Sequence, residues 1–261
     1  MSAIEIFSLL IPTTWVVMLV WERLFPARAL PPIRGWTILG LVFLIVMGLA
    51  GALTPLLIPA AWLESHRIFD LSGLGPVWGT VVGYAGVSFI SFLWHRSAHA
   101  FPSMWRLTHQ IHHAPTRVDI AGSQLFHPTE MIAFTLIGLF TTVILLGLDP
   151  VAAAATGFVA AFYGMFQHWN VRTPRWLGYL IQRPESHSWH HERGVHARNY
   201  ADLPIWDILF GSFFNPKDFA PDCGFDAPAD RRLLAMLAFV DVNAPIAGAG
   251  SLGQTRRADP A

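Results

Sequence analysis

Eight of the twelve histidines in this 261-residue chain fall inside two short windows, 95–113 and 187–191. They read His95-Arg-Ser-Ala-His99, His109-Gln-Ile-His112-His113 and His187-Ser-Trp-His190-His191. Residues three or four apart share one face of a helix, so each segment presents two or three imidazoles as a claw. Imidazole is a ligand for iron, zinc, copper or nickel. Eight nitrogens exceed what one ion with an open position can take, so the pattern points to two neighbouring metals. A solvated polar face is the plain alternative, but three segments repeat the same spacing. His168 is a further expected ligand. His127, just before Pro128, is read as a ligand, a partner to one, or a helix cap. His66 and His196 are read as structural or surface residues.

The elements that must position these claws are membrane helices. Hydrophobic residues make up 53% of the chain and charged residues only 13%, with a mean hydropathy of +0.44. A water-facing surface needs roughly 25% charge, so a soluble domain is excluded. Seventeen basic residues balance seventeen acidic ones, so no basic stripe marks a nucleic-acid binder. The single cysteine, Cys223, excludes an internal disulfide and a cysteine-held iron–sulfur cluster. Apolar runs at Ile6–Val20, Trp36–Ala61 and Pro76–Trp94 are long enough to span, given a need for about 20 residues. Met131–Gly147 and Val151–Phe166 are shorter; they predict either a tilted pair that crosses or a hairpin that dips.

The fold class expected is therefore all-α: a polytopic bundle of about four to five spans with a cytosolic histidine-rich helical cap. Trp21, Trp36, Trp62, Trp78, Trp94 and Trp169 stand at run ends, as interfacial anchors do. Arginines concentrate in the loop 23–34, after the third run and after the fifth, while the opposite loops offer only Arg67. By the positive-inside rule this puts the histidine regions in the cytosol and the amino terminus outside. Residues 5–25 lack a basic leader and carry Glu5, and are read as a retained anchor. The division expected is 1–75 as anchor helices, 76–215 as the di-metal catalytic domain, and 216–261 as a carboxy-terminal segment with a disordered tail from about Val242. Pro102 should end the third helix, so that a second helix carries His109–His113 back over His95 and His99.

The same motifs, in order, resemble the fatty acid hydroxylase superfamily, also called the sterol desaturase family. Beyond the histidine boxes, Phe126-His127-Pro128-Thr129-Glu130 is similar to its HP-x-E element and Gln167-His168-Trp169-Asn170 to its QH-x-N element. Asn199-Tyr200, Trp206-Asp207 and Phe210-Gly211-Ser212-Phe213 are similar to its ending. The likeness covers roughly residues 80–215, with Ala201 where the family often has Gly and Ser212 where it often has Thr.

The resemblance implies an O2-dependent di-iron enzyme, with zinc possible as purified, that hydroxylates or desaturates a lipid. It implies His95, His99, His109, His112, His113, His187, His190 and His191 as catalytic metal ligands, joined by His168. Asp119, Glu130, Glu185 and Asp207 would then be the partners of imidazole N–H groups. Electrons would come from a separate ferredoxin or cytochrome b5-type donor docking near Arg193 and Arg198. The lipid would enter from the bilayer beneath a lip formed by Trp176–Ile181 and Leu203–Phe214. The residues alone leave two other classes open: a di-zinc membrane hydrolase with Glu185 as base, and, less in keeping with histidines beyond the spans, a metal transporter. The alanine- and arginine-rich composition favours a bacterial inner membrane over endoplasmic reticulum.

Overall fold

The computed structural model describes residues 1–195 and 197–243, and regular structure among these is helical, with one isolated bridge between Glu192 and Cys223 in place of any strand. Five long helices form the bundle: α1 (Ala3–Leu24), α2 (Trp36–Leu53), α3 (Gly75–Ala100), α4 (Pro128–Leu139) and α5 (Pro150–Phe166). The expectations for His196 and for the tail beyond Asn243 lie outside the described residues.

Local chemistry sets the helix ends. Ser2 and Glu5 close a capping box on α1, the Glu5 N–H donating to Ser2 Oγ and the Ser2 N–H to the Glu5 carboxylate. Pro128 and Pro150 occupy the first turns of α4 and α5, where a missing N–H costs nothing. Before them, His127 accepts the Thr129 N–H, and Asp149 accepts those of Val151 and Ala152. A π-helical turn, Phe140–Leu145, extends α4, and the combined segment is long and apolar enough to cross a membrane. So are Ala3–Leu24, Trp36–Leu57 and Ser72–Ala100, whereas α5 is a shorter apolar helix of 17 residues. The outer faces of these helices expose Val16, Val17, Ile38, Ile45, Val77 and Val81, as lipid-facing surfaces do.

The loops sort to two ends. At one, the Ile68, Phe69 and Leu71 amides donate to the Ile144, Leu145 and Leu146 carbonyls. At the other, the Glu22 carboxylate accepts the amides of Ile120 and Asn170. All the histidine-bearing segments after α3 and α5 gather at this second end. Two tryptophans expected at the interface turn inward instead. Trp36 is buried with its indole N–H donating to Asp119 Oδ1 at 2.8 Å, and Trp169 donates to the Met18 carbonyl. Trp21, Trp62 and Trp78 do lie exposed.

Small residues let the helices close up. On α3, Gly83 faces Thr156 and Leu148, and on α2, Gly40 faces the Ala121 carbonyl, which a Cβ would approach to 2.1 Å. Backbone cannot retreat as a flexible side chain can. Gly40→Ala is therefore expected to destabilise the protein by about 1–3 kcal/mol through overpacking. Thermal unfolding in detergent would show this, and an unchanged midpoint would mean that α2 does not seat the 120–122 turn.

Candidate metal centre

Three helix ends deliver the imidazoles. The last turn of α3 carries His95 and His99. The chain then breaks at Phe101 and re-enters helix at Pro102, followed by a π-helical Trp105–His109 and a short α-turn, Gln110–His113. This is the reversal that Pro102 predicts, with a π-segment that shifts the histidine register. His187 and His190 lie on α6 (Pro184–His190), with His191 as its cap. His168 follows α5 directly.

The nine histidines expected as ligands converge in two groups. His95, His99, His109, His113 and His190 form the first; His112, His168, His187 and His191 form the second; within each, one nitrogen per ring lies within 4.8 Å of the others. The boxes are not single claws, as their spacing had suggested. Each His-His doublet is split: His113 and His190 serve the first group, His112 and His191 the second. The groups adjoin, with the His113 and His191 rings stacked at 4.2 Å between centroids.

The outer nitrogens explain why the inner ones are available. His95 Nδ1–H donates to the Tyr200 carbonyl, His168 Nδ1–H to the Gly164 carbonyl and His190 Nδ1–H to the Arg198 carbonyl, each at 2.7 Å. His109 Nδ1–H donates to Glu130 at 2.8 Å. A carbonyl only accepts, so these rings carry their proton on Nδ1 and turn a lone pair inward on Nε2. His112 Nε2 and His187 Nε2 lie 3.1 and 3.2 Å from His168 Nε2, and His191 Nε2 lies 3.0 Å from His187 Nε2. His113 Nε2 is 3.1 Å from His109 Nε2, and the buried Nε2 atoms of His95 and His190 find no hydrogen-bond partner among the described residues. Convergent lone pairs repel unless a cation sits among them. Metal–nitrogen bonds of about 2.1 Å put neighbouring donors roughly 3.0–3.4 Å apart, which matches these separations. Burial, then neighbouring imidazoles, holds His112, His113, His187, His190 and His191 well below the usual histidine range, and burial brings His168 down to about 4. The rings are thus neutral, as ligands must be.

The four carboxylates divide. Among the described residues only Glu130 holds an imidazole. Asp119 accepts from Trp36, Arg117 and the Gly122 amide. Glu185 accepts from Thr173 and pairs with the buried Arg183 at 3.0 Å. Asp207 accepts the amides of Tyr200 and Ala201 and the Ser212 hydroxyl. It acts one bond removed, by fixing the peptide whose Tyr200 carbonyl holds His95. His127 is the cap of α4. His66 lies exposed with its ring stacked on Trp62.

Sequence reasoning missed the carbonyls of Gly164, Arg198 and Tyr200, since backbone acceptors leave no side-chain signal. Arg198 and Asn199 adopt left-handed backbone, φ 72° and 49°, and Asn199 is locked by bonds to Ser186 and Phe214. That strain aims the Arg198 carbonyl at His190.

Glu130→Gln keeps the shape of that side chain but removes the charge behind His109. It is expected to weaken metal binding about 10–100-fold, read by competition with a calibrated chelator. Unchanged affinity would show that Glu130 merely fills space.

The fatty acid hydroxylase family model matches residues 80–212, a stretch that contains all nine histidines. Among curated proteins, the ornithine lipid hydroxylase OlsE of Rhizobium tropici is 32% identical over 164 residues, covering 60% of this chain and 49% of that protein. The alkylglycerol monooxygenase of Homo sapiens is 29% identical over 163 residues, covering 58% of this chain and 34% of that protein. The match thus spans about half the length of the first relative and a third of the second. No solved structure matches.

Proposed function

Since the chain belongs to the fatty acid hydroxylase family, we propose that it is a membrane-bound, O2-dependent hydroxylase of a lipid C–H bond. The observation that carries this reading is the pair of adjoining groups, five and four imidazoles, turned inward at one end of a membrane bundle. His95, His99, His109, His113 and His190 would hold one iron, and His112, His168, His187 and His191 the other. Bound there, two irons would supply the redox chemistry that side chains lack, for a reaction that takes up O2, two electrons and two protons and yields one hydroxyl and one water. The names of both relatives describe oxygen-inserting enzymes, one of an ornithine lipid and one of an alkylglycerol, which favours hydroxylation over desaturation.

The chain's own residues orient and protect. The Tyr200, Arg198 and Gly164 carbonyls and Glu130 fix four tautomers, so those rings would already be oriented to hold a metal. The Tyr200 ring stands 5.3–5.6 Å from those of His95, His99 and His190 and limits water on that side. The hydrolase alternative needs Glu185 as a base, but Thr173 and Arg183 occupy both its oxygens. Transport needs ligands within the spans, and these groups sit at the bundle's end. Electrons would come from a separate ferredoxin or cytochrome b5-type protein docking on the face that carries Arg193 and Arg198. The setting that fits is a bacterial inner membrane with the histidine end in the cytosol. Exposed Trp176, Tyr179, Leu180, Ile205 and Leu209 would rest that end on the bilayer.

Comparative lipid mass spectrometry under 18O2 tests this. Cells making the wild-type chain with a redox donor should gain a lipid carrying one 18O atom, and cells making His190→Ala at equal abundance should not. A lipid short of two hydrogens instead would make the enzyme a desaturase. Label-free hydrolysis products would mean the wrong reaction class.

A further inference from the structure

On the outer surface of the bundle, between α3 and α4, lies an apolar cleft of about 280 Å³. Ile90, Leu93 and Trp94 of α3, Phe101 and Met104 beyond its end, and Ile137 of α4 line it, with Ser97 adding one hydroxyl and no charged group present. Its walls belong to Ser72–Ala100 and Pro128–Leu145, two segments suited to spanning a membrane. Leu93 and Phe101 at its rim, and Leu136 and Phe140 nearby on the second segment, are exposed, so its mouth continues the lipid-facing surface. Trp94 fixes its relation to the histidines. It precedes His95, and its indole N–H donates to Glu130 at 3.4 Å, the carboxylate that holds His109. One side of the indole therefore faces the cleft, and its N–H edge meets the support of the first histidine group.

We infer that this cleft seats the hydrocarbon chain of the lipid substrate, with Trp94 as the specificity-determining wall between that chain and the first group. The uncharged lining excludes a headgroup, which would leave its charge unpaired. Continuity with the spans makes the bilayer the source of the occupant, and an acyl or alkyl chain matches the lining. The assignment rests on the lipid-oxidising reading above, and it differs from access beneath the lip formed by residues 176–181 and 203–214.

The full-length protein in phosphatidylcholine nanodiscs, doped with a phospholipid bearing a mid-chain diazirine, provides the test. Photolabel should concentrate on Ile90, Leu93 and Ile137 above the level on Val17 and Ile38, although those two are more open to lipid. Ile137→Trp should abolish that enrichment and lower product formation about tenfold with metal content unchanged; Ile90→Phe serves as the milder fill if the larger ring prevents folding. Trp94→Ala should shift the oxidised position along the chain, whereas a merely structural Trp94 would change yield alone. Even labelling of all exposed apolar residues, or oxidation indifferent to the filled cleft, overturns the assignment. Enriched labelling without any oxidised lipid would leave the chain seat standing and sink the hydroxylase reading instead.

Discussion

Alanine at His187 is expected to empty the second metal position and leave the first occupied. The wild-type chain should hold about two metal equivalents and His187→Ala about one, with lipid oxidation reduced by about 100-fold or more. His187 Nε2 lies between those of His168 and His191, at 3.2 and 3.0 Å, so no other ring can cover for it. His190→Ala should give the reciprocal result, emptying the first position, although the two residues are one helical turn apart on α6. Metal analysis of the purified variants, with Mössbauer spectra of 57Fe-loaded samples, resolves the two positions. Loss of both equivalents in each variant would mean that the groups form one cooperative site. Retention of both would remove α6 from the metal centre.

The second large effect is expected at Arg183, whose guanidinium bonds to no histidine among the described residues. Its guanidinium is fully buried, donating to Thr173 Oγ1, the Thr173 carbonyl, Asn215 Oδ1 and the Pro216 carbonyl while pairing with Glu185. This network holds the start of α6, and hence His187 and His190, against the segments before and after it. Arg183→Met would leave the Glu185 carboxylate buried without its counter-charge and should cost about 3–5 kcal/mol. Thermal unfolding of the detergent-solubilised protein would register this as an early, separate loss of the α6 region. Adding Glu185→Gln to Arg183→Met should restore part of the stability, since the orphaned charge is then gone. If the double variant is no better than the single, packing rather than charge accounts for the loss.

Much of the site was legible because its chemistry is carried by side-chain type and helical spacing. Histidines at i, i+3 and i+4, close beyond apolar runs, specify nitrogen donors at a membrane edge whatever the detailed packing. The same spacing misled about their grouping. His112 and His113 are neighbours in sequence but point about 100° apart around a helix, so each doublet can serve two ions, and the π-helical turn before it sets which. The carboxylates show the reverse limitation. Asp119, Glu130, Glu185 and Asp207 look alike as acidic residues near histidines, yet only the packing of α4 beneath His109 brings Glu130 onto a ring. Trp36 and Trp169 likewise read as interfacial anchors until tertiary contacts supplied buried acceptors for their indoles.

An all-helical membrane bundle and nine candidate ligands follow from the residues alone, because apolar length and donor type are local properties. How those ligands divide, and which atoms stand behind them, follows from the packing of the chain. The carbonyls of Gly164, Arg198 and Tyr200 belong to no motif; every residue has one. What singles these three out is the backbone path that aims them at an imidazole Nδ1: Gly164 does so from one helical turn before His168, whereas Arg198 and Tyr200 do so through a loop held by Ser186, Phe214 and Asp207.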